Sequence, residues 1–99
     1  MKRKIIATAK DPKGEKYAFC WLPKRRDFVH WIVNDKQEYY LGRYFPHLKQ
    51  ARKDFQDRIQ ADDERTEIDW RIPSNWNEYQ IRLFFALEEK EVDEDERKD

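Results

Sequence analysis

The chain has 99 residues and a mass of 12.4 kDa, with 42% of its residues charged, 15% aromatic, and a formal net charge of zero. That is one domain's length, and aliphatic residues are so few that any core must be built from rings. The single Cys20 excludes an intrachain disulfide, and no apolar run reaches the roughly 18 residues of a membrane-spanning helix.

In chain order, residues 2–9 lean towards a strand through Ile5, Ile6 and Thr8, and Asp11-Pro12-Lys13-Gly14 reads as a turn. The opening MKRKIIATAK is basic but lacks the apolar core of a secretory leader, so a cytoplasmic protein is expected. Residues 16–22 form a second strand in which Tyr17, Phe19 and Trp21 alternate with Ala18, Cys20 and Leu22. Cys20 reads there as a small buried hydrophobe rather than a reactive thiol. Pro23 and the cluster Lys24-Arg25-Arg26 lead into a third strand, residues 28–33, and residues 38–45 complete the meander. Gly42 within that last strand predicts a bulge or a close approach by the following helix.

Pro46 suits the first turn of a helix running to about Gln60. Leu48, Ala51, Phe55 and Ile59 recur at helical spacing among charged and amide residues, the strongest periodic signal in the chain. Residues 66–72 alternate Ile68, Trp70 and Ile72 with charges and predict a short half-buried strand or an extended packing segment. Asn75 and Glu78 stand at capping-box spacing and favour a helix over 75–89, although Tyr79, Ile81, Leu83, Phe85 and Leu87 also alternate as a strand would. The helix would turn Trp76, Tyr79, Leu83 and Leu87 to one side and leave Ile81 and Phe85 on the other. The fold expected is therefore α+β: an antiparallel meander of three to four strands, one helix across it, and a C-terminal helix or, alternatively, strand. Residues 1–87 form the single domain, and the almost wholly polar residues 88–99 form an acidic, disordered tail.

No metal or cofactor is expected, because Cys20, His30 and His47 show no ligand pairing. Two separated glycines and a single serine, Ser74, supply neither a phosphate loop nor a nucleophile motif, so an enzyme is not expected. More informative is the mixture of rings and cations over residues 17–45. A sheet covered by a helix on one face leaves rings on the other, and rings flanked by Lys and Arg suit base stacking and phosphate contact. The favoured reading is a nucleic-acid-binding protein in which Lys24, Arg25, Arg26 and Arg43 meet phosphates and Trp31 and Tyr40 stack. The competing account makes the rings a core, with residues 66–87 covering the second face.

Strand, strand, a Leu41-Gly42 strand, then Phe45, Ala51 and Phe55 leading into a helix resemble the three-stranded DNA-binding domains of plant ethylene-response factors. The same stretch, residues 16–60, is similar to the small N-terminal domains of phage tyrosine integrases. The resemblance implies a sheet that enters the major groove, with strand Arg and Trp side chains touching DNA. Val33 and Phe28 stand at the matching Arg and Trp positions here, and one extra residue separates Gly42 from Phe45.

Charge supplies the alternative function. Residues 1–60 carry 15 Lys and Arg against 7 Asp and Glu, whereas residues 61–99 carry 6 against 14. The acidic half fits a protein-interaction module or inhibitor of the kind mobile elements encode, gripping a partner with a basic surface through Ile81 and Phe85.

Overall fold

Residues 4–45 fold as four antiparallel strands because ring and small residues alternate along them and two hairpins carry the same Asx device. The computed structural model describes residues 2–98, with side chains described through Glu88. The strands are β1 (Lys4–Lys10), β2 (Lys16–Leu22), β3 (Asp27–Val33) and β4 (Tyr39–Phe45). Between β1 and β2, Asp11 Oδ1 accepts the N–H groups of Lys13 and Glu15 at 3.0 and 2.9 Å. Between β3 and β4, Asn34 Oδ1 accepts those of Lys36 and Glu38, both at 2.9 Å. Each side chain thus replaces backbone partners that a tight turn leaves unpaired.

Helix α1 (Leu48–Arg58) follows, then β5 (Glu67–Trp70) and helix α2 (Glu78–Lys98). The result is the expected α+β fold, but the sheet has five strands in the order β4-β3-β2-β1-β5, with β5 antiparallel beside β1. The first four strands are the expected meander, and the short strand expected in 66–72 joins the same sheet as a fifth, beside β1, rather than covering the second face.

Both helices lie on one face of the sheet. Cross-strand register puts Tyr17 opposite Ile32, Phe19 opposite His30 and Trp21 opposite Phe28 on that face. Leu48, Ala51, Phe55 and Ile59 of α1 are all buried against it, as their spacing predicts. Phe55 stacks on Phe19 with ring centroids 4.9 Å apart, and Ala51 lets the helix approach closely. Thr66 closes the end of α1 by donating its hydroxyl to Ile59 O and Gln60 O at 3.0 and 2.7 Å.

The opposite face carries no helix among the described residues, yet it is sealed. Ala18, Cys20, Leu22, Val29, Trp31 and Val33 form a second buried cluster there. Trp31 lies flat across β4 in the space above Gly42, where a Cβ would fall 2.6 Å from Trp31 Nε1. Tyr39 and Tyr44 stand edge-on to the Trp31 ring, and the Arg3 guanidinium sits 4.0 Å from the Tyr39 ring centroid. Gly42 therefore serves a close approach, but by Trp31 and not by the helix. The strand bulges to make that room: its register with β3 shifts between His30 and Ile32, and Leu41 takes a left-handed φ of 53°.

Helix α2 starts one turn's fraction later than the spacing of Asn75 and Glu78 suggests. Asn77 Oδ1 accepts the Gln80 N–H at 2.9 Å while Gln80 Oε1 accepts the Asn77 N–H at 2.8 Å, a reciprocal cap two residues on. Glu78 is thereby freed for another task. Its Oε1 accepts the Leu48 N–H at 2.7 Å, so the first turn of α2 caps α1, whose own N-cap His47 supplies no side-chain bond. The backbone of α2 runs to Lys98, and the expectation of a separate acidic tail over 88–99 falls on side chains that, beyond Glu88, lie outside those described.

Candidate interaction surface

The residues expected to meet nucleic acid do not share a face. Tyr40 pairs with Ile32 and Arg43 with His30, which puts both on the helix side of the sheet, whereas Trp31 pairs with Ala18 on the other. Trp31 is only 6% exposed, covered by Tyr39, Tyr44 and Arg3, so its ring is not open for stacking. Tyr40 is 42% exposed and donates its hydroxyl to Glu15 at 3.4 Å. Arg43 Nη1 donates to Asp54 Oδ2 at 3.2 Å. Lys24, Arg25 and Arg26 are exposed in the β2–β3 turn. Arg25 lies over the Tyr44 ring at 4.5 Å and pairs with Asp27, while Arg26, at a left-handed φ of 56°, turns towards α2.

The pair expected to grip a protein partner is a correction of the opposite kind. Ile81 and Phe85 are 1% and 4% exposed and belong to the main core with Trp21, Phe28 and Ile72. Polar partners fix this phase of the helix. Glu78 caps α1, Arg82 lies over the Trp21 ring at 4.9 Å and donates to Pro46 O at 3.3 Å, and Glu88 meets Lys4 at 3.5 Å. All three sit on the same side of α2 as Ile81 and Phe85. Burial acts to raise the Glu78 carboxyl, but the Leu48 N–H it accepts, with Arg82 and His47 beside it, holds it below the usual range.

Of the face expected to carry Trp76, Tyr79, Leu83 and Leu87, Trp76, ahead of the helix, packs against the core. The last three form a row that points outward, at 72%, 46% and 56% exposure. Beside it runs a groove whose floor is Trp21, Pro23, Phe85 and Ala86 and whose rim is Arg26 and Arg82. Sequence periodicity detects both apolar rows of α2. The polar neighbours at 78, 82 and 88, each with a specific partner, lie on the row that turns inward.

A buried polar cluster on α1 was not foreseen beyond a packed His30. His30 is fully buried; its Nδ1 accepts from Arg58 Nη1 at 3.1 Å, so its Nε2–H donates to Asp54 Oδ2 at 2.8 Å. Burial lowers the imidazole to about 4, with Asp54 opposing and Arg58 and Arg43 assisting, so the ring is neutral at physiological pH. An Asp–His pair has the outline of a general base and its orienting carboxylate, but here the remaining ring nitrogen is bonded to a guanidinium rather than aimed at a substrate. Nearby, Tyr17 donates its hydroxyl to Asp11 Oδ2 at 3.0 Å, and burial raises it to about 12.

Burial likewise raises the Cys20 thiol to about 12, which keeps it protonated and inert. Among the described residues no group of three His, Cys, Asp or Glu side chains is placed to hold a metal, and no helix is long and apolar enough to cross a membrane. Comparison of the chain with protein-family models, with curated proteins and with solved structures gives no match.

Proposed function

We propose that this chain is a protein-interaction module that binds rather than catalyses, docking through the outer face of α2 and the groove beside it. The observation that carries this reading is the exposed row Tyr79, Leu83 and Leu87 on a helix whose other side already completes the core. Contiguous exposed apolar rows on small proteins are often interaction sites. Helix-in-groove recognition uses this spacing of anchors. The groove beside the row is rimmed by Arg26 and Arg82, so the partner suited to it presents an apolar strip edged by carboxylates.

Nucleic-acid binding is the second reading, supported by the exposed cations Lys24, Arg25 and Arg26. With Trp31 covered, stacking in that reading falls to Tyr40, which is 42% exposed. The two separate in one experiment. A photo-crosslinking residue at Leu83 is expected to trap protein, whereas one at Lys53 on the outer side of α1 is not. Binding to a single-stranded oligonucleotide that falls steeply with salt and disappears in Arg25→Ala/Arg26→Ala would instead favour the nucleic-acid reading.

A further inference from the structure

Beyond the outer face of α2, we propose a second docking site: the open edge of β5, which takes an extended basic segment of another protein as a sixth strand. The register of the sheet identifies the groups that hold it. Arg71 N–H donates to Ile6 O at 2.8 Å, and β5 pairs with β1 without a shift, from Trp70 opposite Ala7 to Glu67 opposite Lys10. In an antiparallel ladder alternate residues turn N–H and C=O to the same neighbour. Residues 67, 69 and 71 therefore face β1, and the backbone groups of Ile68 and Trp70 face away from it. β5 is the last strand on that side, so these four groups have no strand to bond. No loop or side chain among the described residues takes them either.

Space lies beside them. A cleft of about 930 Å³ runs between this edge and the flank of α1, with Gln56 and Gln60 on one wall and Ile68 and Trp70 on the other. Lys53, its side chain 82% exposed, projects outward from the lip of the cleft, so a crosslinker there stays clear of the added strand. An antiparallel strand laid along the edge exchanges two bonds with each of Ile68 and Trp70. Its residues opposite them point to the side on which Ile68 and Trp70 pack against the core, so apolar side chains suit those positions. The residues between point to the other face, across from the exposed Glu67 and Asp69. Over residues 61–70 five carboxylates stand against one arginine, so Lys or Arg suits these positions. The same carboxylates would oppose one another if two β5 edges met, which disfavours a second copy of this chain.

The probe is a short peptide alternating Lys and Val, titrated into the isotope-labelled full chain and followed by amide NMR. So short an edge is expected to bind it at about 10–500 μM, with the Ile68 and Trp70 amides shifting most. A peptide of the same composition, its lysines in one block and its valines in another, should bind ~10-fold or more weakly. Ile68→Pro removes one outward donor while sparing the bonds to β1, because an edge tolerates proline whose missing N–H faces outward. It should weaken binding ~10-fold or more. Where that variant fails to fold, Glu67→Lys/Asp69→Lys decides, since it alters only exposed side chains. It is expected to lose the Lys–Val peptide and gain one alternating Glu and Val. Equal affinity for the block peptide, or shifts centred on another surface, would reduce the contact to charge attraction and overturn the strand. Absence of binding at about 2 mM peptide would do the same. Leu83→Asp should leave the titration unchanged; loss of binding there would move the peptide to α2, overturning the edge site while leaving the α2 surface standing.

Discussion

The two helices lie on the same sheet face but use their sequences differently. α1 has one apolar row, and Leu48, Ala51, Phe55 and Ile59 spend all of it on the core. Its polar side chains also reach the sheet, where Asp54 and Arg58 bracket His30 and Arg43 joins them. α2 has two apolar rows and needs only one, Ile81 and Phe85, to finish the core. α2 thus carries more apolar surface than its fold consumes. The contrast separates a helix whose apolar surface is all consumed by the core from one that keeps an exposed row.

Stability measurements can break that contrast. The largest effect is expected for Phe55→Ala, which removes the ring stacked on Phe19 and should cost about 3–5 kcal/mol, with Phe85→Ala towards the lower end of the same range. Equal small losses in both, read from urea midpoints, would contradict the assignment of either helix to the core.

Next is pH. His30 titrates near 6.5 when unfolded and at about 4 in the fold, so the unfolded chain binds the proton first. Stability is therefore full above pH 6.5 and declines as pH falls towards about 4, by an amount on the order of 3 kcal/mol. His30→Gln should flatten urea midpoints across that window; an unaltered pH profile in the variant would show that α1 is held by something other than the neutral imidazole.

The smallest effect tests the link between the helices. Glu78→Gln weakens the bond to the Leu48 N–H and should cost roughly 1 kcal/mol, with faster amide exchange at Leu48. Unchanged exchange there would mean that α1 and α2 hold their ends independently.

How much of this was legible in the sequence follows from what each signal depends on. The α1 row was readable because a single stripe among charges admits one orientation. The strands of the meander were readable from alternation and turn chemistry at Asp11 and Asn34. The place of β5 beside β1 was not, because pairing between Ala9 and Ile68 is a long-range contact with no local signature. The phase of α2 was not legible because both of its apolar rows recur at helical spacing; the side that is buried is also the one on which Glu78, Arg82 and Glu88 find partners. Trp31 was read as open because the bulge that lowers β4 beneath it depends on backbone geometry at Leu41 and Gly42. The same causes split the expected nucleic-acid residues between two faces.

Leu41 has one further consequence. Strand β4 is a free border of the sheet, and a flat border of seven residues would be an inviting template for another chain's strand. The left-handed kink there breaks the even ladder of donors and acceptors and juts a leucine, 66% exposed, outward from it. Zippering of one sheet onto the next into fibres is thus discouraged by the same distortion that lets a tryptophan lie down over a glycine, and protection from aggregation comes with the packing of the uncovered face.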